Sequence, residues 1–343
     1  MILLLYLSIV STIFYVVQTH PSSDYSETKI ITDTCKDNEF LLSTTTHSSL
    51  DCGISCGENA ECRRFVFCSS KSTCTLYQHG TDCIISGDST SCTCYRKNIG
   101  RNADDTTTCA VGFYGNNCQN VAQDCKDAYN KNIHSSFQIK DIPTYIKPTI
   151  AAEPVEVKCG FGNGGSTLLM HRKRYCSFIN FNRSTTEYEQ RFGNFDSNYW
   201  IGFNTLLDIM LGSPSTYRLQ IMVFNTAWIP CSIYYEGFQI GNKSSGYSFG
   251  SSSTTPSPDH ADCGDSMTGS LNLIGNPFST YDDDYTGVNQ CANRLGGGWW
   301  FEDSPQCSRS FLTGTVDGST SDTFWLDNLD GELLNMVKFV LTK

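Results

Sequence analysis

Phe181–Leu206 reads FNRSTTEYEQRFGNFDSNYWIGFNTL, and the organisation of the chain's larger half is read outward from it. The segment is dense in aromatics (Phe181, Tyr188, Phe192, Phe195, Tyr199, Trp200, Phe203) that can fill a core. Two short helical signals lie in and just beyond it: TTEYEQRFG stops at Gly193 and FNTLLDIMLG at Gly212. Around them STLLMHRKRY, TYRLQIMVFNTAW and CSIYYEGFQIG carry the alternating, β-branched and aromatic pattern of strands. The expected class is α+β, a mainly antiparallel sheet with a few short helices.

The 343 residues carry 18 cysteines and a formal net charge of -11. The length predicts two or three domains. The charge excludes a nucleic-acid partner, because phosphate binding is mainly electrostatic and no basic face dominates. The one basic cluster, His171-Arg172-Lys173-Arg174, is short and reads as an exposed strand or turn. MILLLYLSIVSTIFYVV opens the chain and breaks at Gln18, so residues 1–20 read as a secretory signal peptide with a retained anchor as the alternative. No later segment is apolar and long enough to span a membrane, so none is expected once the signal is removed. Such cysteine usage belongs to an oxidising compartment, and the expected location is secreted, extracellular. Asn182-Arg183-Ser184 and Asn242-Lys243-Ser244 are glycosylation sequons. No strand–turn–helix Gly-x-Ser-x-Gly element, phosphate loop or His-Glu-x-x-His motif is visible, and six histidines are scattered without ligand spacing. An enzyme is not expected.

Cysteine density divides the sequence. Nine cysteines fall between Cys35 and Cys94, two more are Cys109 and Cys118, and seven spread from Cys125 to Cys307. The first part is a small module dependent on covalent staples, since so few residues bury little apolar surface. From Cys125 onward there are enough residues to bury a sizeable core. GYSFGSSSTTPSPDHADCG, Gly246 to Gly264, reads as a Ser/Thr/Pro/Gly surface excursion inside that larger domain. No collagen-like repeat or long heptad segment is present to drive oligomerisation.

Three resemblances follow from these blocks. LDCGISCGENAECRRFVFCSSKSTCTLYQ, within residues 35–95, resembles a PAN/apple domain through Cys52, Cys56, Cys62, the Phe65/Phe67 pair and Cys74 before Leu76-Tyr77. That resemblance implies Cys56–Cys62 and Cys52–Cys74 bridges and a module that binds proteins or carbohydrates, or serves only as a spacer. CAVGFYGNNC, Cys109 to Cys118, resembles the last loop of an EGF-like module, so residues 96–120 read as a truncated stalk. From Asp124 to Lys343 the sequence resembles the fibrinogen C-terminal-like domain of ficolins, tenascins, angiopoietins and invertebrate fibrinogen-related lectins. DCKDAYN, VKCGFGNGGSTLLMHRK, the opening block and NPFSTYDDD…CA…GGGWWF…C match in order. The resemblance implies Cys125–Cys159 and Cys291–Cys307 bridges and a loop-rich C-terminal ligand region. Cys176, Cys231 and Cys263 are then left over, as is an odd cysteine among the eleven upstream. An inter-module bridge, an intermolecular one making a homo-oligomer, or two free thiols would reconcile the tally.

Asp282-Asp283-Asp284 lies where this family keeps a calcium loop. Asp282, Asp284 and the carbonyls of Thr286 and Val288 form an arc that a hard cation would accept, although calcium takes six to eight oxygens and Thr286 stands where a carboxylate is common. An EF-hand is excluded, because its twelfth position is Asn293 and GGGWW offers no exiting helix. The family's ligand pocket implies contacts from Gln306, Cys307, Ser308, Arg309 and Trp325, with a cis peptide before Cys307. Ser308 replaces a frequent His, so a usual acetyl-group specificity is not expected. Trp299 and Trp300 read as core. The leading functional expectation is a secreted lectin of innate defence, binding glycans or cell-surface glycoproteins, with calcium as cofactor. The alternative is an extracellular adhesion, matrix or receptor-ligand protein using the domain as a protein-binding surface.

Overall fold

The computed structural model describes residues 42–45, 48, 52, 64–77, 92–96, 109–133, 141–162, 164–174, 179–195, 197–315, 322–329 and 332–343. The signal-peptide segment and Cys35, Cys56, Cys62, Cys83 and Cys176 lie outside these residues.

Strands β1 (Leu42–Thr45), β2 (Arg64–Cys68), β3 (Thr73–Tyr77) and β4 (Cys92–Arg96) make an antiparallel sheet ordered β1-β3-β2-β4. Its buried core is small, Phe65 and Leu76 packed on the Cys52–Cys74 disulfide. With so little apolar burial the covalent link substitutes for core area.

Next come β5 (Phe113–Tyr114) and β6 (Asn120–Val121), a hairpin beside the Cys109–Cys118 bridge. This segment does not stand apart as a stalk. Val111 accepts a backbone bond from Tyr145, Gly112 accepts one from Ala122, and the Phe113 and Tyr145 rings lie 5.5 Å apart. Gly112, at φ 102°, is required there: a Cβ would fall 1.8 Å from the Tyr145 carbonyl oxygen.

The larger domain opens with α1 (Cys125–Asn130), capped by the Asp124 carboxylate accepting from Asp127 N at 2.8 Å. It continues through β7 (Asp141–Ile146), β8 (Val155–Gly160), β9 (Ser166–Lys173), α2 (Thr185–Glu189), β10 (Phe192–Gly193), β11 (Tyr199–Trp200) and α3 (Phe203–Leu211). Then follow β12 (Arg218–Asn225), β13 (Pro230–Glu236), β14 (Gln239–Ile240), β15 (Phe249–Gly250), β16 (Ser253–Pro256), α4 (Cys291–Leu295), β17 (Ser310–Phe311), β18 (Phe324–Trp325) and β19 (Leu334–Thr342). The main sheet runs β10-β11-β9-β19-β12-β13-β16, with β7 and β8 continuing from β9. β19 therefore pairs centrally, between β9 and β12.

The helix expected from TTEYEQRFG is shorter than its glycine stop suggests. A capping box between Ser184 and Glu187 starts it, and it ends at Glu189 because Gln190 turns extended and feeds β10. Tyr188 and Phe203 then carry the contact to the loop-rich C-terminal part. Phe278 packs 4.8 Å from Tyr188 and 4.9 Å from Phe203, and Trp300 sits 5.0 Å from Phe278. Phe203 stacks on Tyr247 at 4.3 Å. Burial of each such ring is worth about 1.5–3 kcal/mol, and aromatic geometry adds roughly 0.5–1.5 kcal/mol per pair. Disulfides Cys125–Cys159, Cys231–Cys263 and Cys291–Cys307 cross-link the domain. Cys231 and Cys263 pair with each other, so neither is the source of an inter-module or intermolecular bridge. Their placement explains it: Cys231, the second residue of β13, bridges to Ala261, two residues before Cys263.

The basic cluster is a strand but not an exposed one. β9 is an interior strand, and His171, Arg172 and Arg174 are all buried. Arg174 pairs with buried Asp322 at 2.8 Å and donates to the Leu334 carbonyl, while the Arg172 guanidinium lies 3.8 Å over the Phe181 ring and donates to Gly314 O. His171 Nδ1 meets the Phe195 carbonyl at 3.1 Å, which assigns the proton to that nitrogen. Burial, then the charges of Lys338, Lys173 and Lys158, holds its pKa well below the ordinary imidazole value. The unfolded state therefore binds the extra proton first as pH falls. Stability from this group is complete above about pH 6.5 and is lost as pH falls toward the depressed folded value. Thermal unfolding followed from pH 7 to 5 is expected to show a falling melting temperature, and His171→Gln is expected to flatten that slope.

Candidate functional site: the aspartate loop

The triplet of aspartates sits between two helix starts, and each carboxylate has a protein partner. Asp282 Oδ1 accepts from Thr185 N, the first residue of α2, at 3.0 Å and from Thr280 Oγ1 at 2.7 Å. Asp284 is more heavily used. Its Oδ1 accepts from Thr286 N at 3.0 Å and Thr286 Oγ1 at 2.5 Å, and its Oδ2 from Ala292 N at 2.8 Å and Asn293 N at 3.3 Å. Ala292 and Asn293 open α4, whose own N-cap residue Gln290 is left-handed and makes no side-chain cap. Asp284 thus caps that helix from outside it. Buried Thr286 continues the link, its Oγ1 accepting from Cys291 N at 2.7 Å.

These contacts bear on the calcium reading. Both oxygens of Asp284 face N–H or hydroxyl donors, the Thr286 carbonyl accepts from Asn289 N, and Asp282 has one oxygen committed to α2. A cation with six to eight oxygen ligands would have to displace those donors. Among the described residues no group of three or more His, Cys, Asp and Glu side chains is arranged to hold a metal. As placed, the oxygens of Asp282, Asp284 and Thr286 face protein donors and do not form a calcium cage.

The predicted ligand pocket is likewise turned inward. Trp325 is 0 % exposed and its Nε1 donates to the Cys263 carbonyl at 2.9 Å, so it belongs to the core with Trp299 and Trp300. Cys307 and Ser308 are buried, and Ser308 Oγ accepts from Ser310 N. Arg309 pairs with Asp327 at 2.6 Å, which holds the Asp327 carboxyl below its usual range and raises the guanidinium. Gln306 is exposed at the rim. The Gln306–Cys307 peptide is trans, not cis as the resemblance implies; the backbone makes its turn through Cys307 at φ 62°. A left-handed residue reverses the backbone there without the cost of a non-proline cis bond.

What the loop does present is apolar. Val288 is 97 % exposed, Tyr281 46 % and Tyr285 47 %, beside exposed Asp282, Asp283 and Asp303. Tyr285 OH donates to Asp283 Oδ2 at 2.8 Å, and that bond raises the phenol pKa. Its ring lies over Gly246, where an added Cβ would stand 2.7 Å from Pro277 Cβ and 3.3 Å from Tyr285 Cζ. The loop is therefore supported from below by the Asn242–Gly246 turn. Val288, expected to act through its carbonyl, presents its side chain instead, and Tyr281 and Tyr285 stand exposed with it. Their interleaving with acidic residues was the available signal. Both sequon asparagines, Asn182 and Asn242, are exposed; Asn242 Oδ1 also caps the following turn through Ser245 N.

Comparison with known proteins places this geometry. Residues 121–332, more than half of the sequence, match the model of the C-terminal globular domain of the fibrinogen beta and gamma chains. Angiopoietin-4 of Mus musculus is 31 % identical over 197 residues, covering 57 % of this chain and 35 % of that protein. Angiopoietin-1 of Homo sapiens is 30 % identical over 199 residues, covering 56 % and 35 %. Fibrinogen-like protein 1 of Mus musculus is 29 % identical over 209 residues, covering 56 % and 60 %. The chain thus spans about a third of the angiopoietins it matches. Among solved structures, the fibrinogen-like globe domain of human ANGPTL6 aligns at a TM-score of 0.55 with 21 % identity, covering 65 % of this chain and 95 % of that one. The lamprey fibrin D-dimer complexed with the peptide Gly-His-Arg-Pro-amide aligns at 0.53 with 21 % identity, covering 64 % and 73 %. At that identity these structures speak for the fold alone. By the extent of its family match the chain belongs to the fibrinogen C-terminal globular domain family.

Proposed function

We propose that this is an extracellular, non-enzymatic adhesion, matrix or receptor-ligand protein whose fibrinogen-like domain binds a protein partner through the Tyr281–Val288 loop. The observation that carries the reading is the exposed Tyr281, Tyr285 and Val288 set among carboxylates already held by the protein. Tyrosines with a wet polar end and an apolar body are favoured interface anchors. Asp282, Asp283 and Asp303 around them favour a basic partner surface by charge complementarity. The similarity to angiopoietins and a fibrinogen-like protein agrees with this alternative better than with the lectin reading. The glycan reading draws its support from the aspartate loop and the Cys291–Cys307 segment, and the implied pocket residues Ser308 and Trp325 beside them are buried.

An extracellular location is supported by disulfides, which persist in oxidising compartments. No helix of the described residues is long and apolar enough to cross a membrane. The N-terminal module, whose PAN/apple likeness rests on its cysteine spacing, would add further contacts. Binding of the full-length protein to cultured animal cells tests the proposal. The triple variant Tyr281→Ser, Tyr285→Ser, Val288→Ser is expected to bind at least about tenfold more weakly, equivalent to losing one good anchor, with unchanged thermal unfolding. Equal binding by the variant would rule the loop out.

A further inference from the structure

The Ser/Thr/Pro-rich excursion of Gly246–Gly264 has no part in the loop's binding reading. Its centre is β16, the terminal strand of the main sheet, paired on one side only with β13. An open strand edge invites pairing with other chains, and proteins blunt it with charge, proline, shortness or a cover. From Phe249 to Pro258 no residue is charged. Among the described residues, its shortness and the prolines are the protections that the strand itself carries.

The register sorts the hydroxyls. Thr254 stands opposite Tyr235, which is buried, and so lies on the core-facing side. Ser253 and Thr255 pair with Glu236 and Tyr234, lie on the opposite side, and are exposed. Thr255 Oγ1 donates to Glu236 Oε1 at 3.0 Å on that outer face. Ser257 is buried. Thr255 is followed by Pro256 and, three residues on, by Pro258, both exposed. Proline fixes φ and donates no backbone bond, so this acceptor is extended and pre-organised in the folded protein. A transferase acting after folding could reach it without opening the sheet.

We propose that Thr255, and secondarily Ser253, carry O-linked N-acetylhexosamine-initiated glycans that cover the β16 edge. A secretory-pathway glycosyltransferase would join the hydroxyl oxygen to the anomeric carbon of a nucleoside-diphosphate sugar. The anomeric carbon–oxygen bond breaks, the nucleoside diphosphate leaves, and the hydroxyl proton is released to base; nothing is oxidised or reduced. The proposal rests on the extracellular reading. It is independent of what the Tyr281–Val288 loop binds.

The test is site-resolved mass spectrometry of the full-length protein recovered from the medium of animal cells, after enzymatic removal of N-glycans. The expected result is an N-acetylhexosamine-containing increment on Thr255, lost in Thr255→Ala, with a lesser one on Ser253 and none on Ser257. Secreted, fully oxidised protein with Ser253 and Thr255 unmodified would overturn the proposal while leaving the extracellular reading intact. Modification confined to Ser257 would overturn it too, because exposure would then not select the site. Retention of the protein in the cytosol with reduced thiols would overturn both readings together.

Discussion

Replacing Asp322 with alanine is expected to destabilise the larger domain by about 3–5 kcal/mol, the cost of breaking a buried ion pair by removing one partner. Asp322 Oδ2 accepts from Arg174 Nη1 at 2.8 Å, and both side chains are almost fully buried. Its other oxygen accepts from Thr323 N at 2.7 Å. Without it two buried guanidiniums, Arg172 and Arg174, lose the carboxylate that faces them. Arg172 is already strained electrostatically, its pKa lowered to about 10 by burial. Arg174 also ties the end of β9 to the start of β19 through the Leu334 carbonyl, so the loss falls on the middle of the sheet. Equilibrium urea unfolding measures it directly. A change below about 1 kcal/mol, the size of an exposed pair, would contradict the buried assignment.

The second large effect is expected at Asp284, where alanine should cost about 2–3 kcal/mol, combining a lost helix cap with charge-assisted bonds. Four donors converge on this carboxylate from Thr286, Ala292 and Asn293. Asp283→Asn provides the comparison, since Asp283 is exposed and its carboxylate bonds the Tyr285 hydroxyl; it is expected within about 0.5 kcal/mol of the parent. The same measurement separates a cap from a calcium ligand. A cap's loss lowers the melting temperature equally with calcium and with chelator. If chelator instead lowered the parent protein to the level of the variant, Asp284 would be a metal ligand.

How much of this was readable beforehand differs between fold and site. Phe181–Leu206 carried the fold because its ordered aromatics and glycines match the family's block; the Ser184 cap that starts α2 is seen only in the structure. The strands over 166–173, 218–225 and 230–236 lie within blocks whose alternating, β-branched and aromatic residues mark strands. The Cys231–Cys263 bridge was not, because it depends on a register between β13 and a loop about 30 residues on. Burial of Arg172 and Arg174 escaped for a related reason: their partners Gly314 and Asp322 lie far along the sequence. At the site the sequence located the loop but not the use of its carboxylates. Asp-x-Asp spacing suits a cation and a pair of helix starts alike, and only the positions of Thr185 and Ala292 distinguish them. Val288 and the two tyrosines escaped because exposure depends on which side of the loop meets the core.

The most direct measurement is retention of the full-length protein on animal cells under four treatments: chelator, free acetylated sugars, enzymatic deglycosylation of the cells, and mild surface proteolysis. Binding through a protein surface at Tyr281, Tyr285 and Val288 survives the first three and is abolished by the fourth. Release by chelator or by free sugar would contradict it and return the loop to a calcium-dependent lectin.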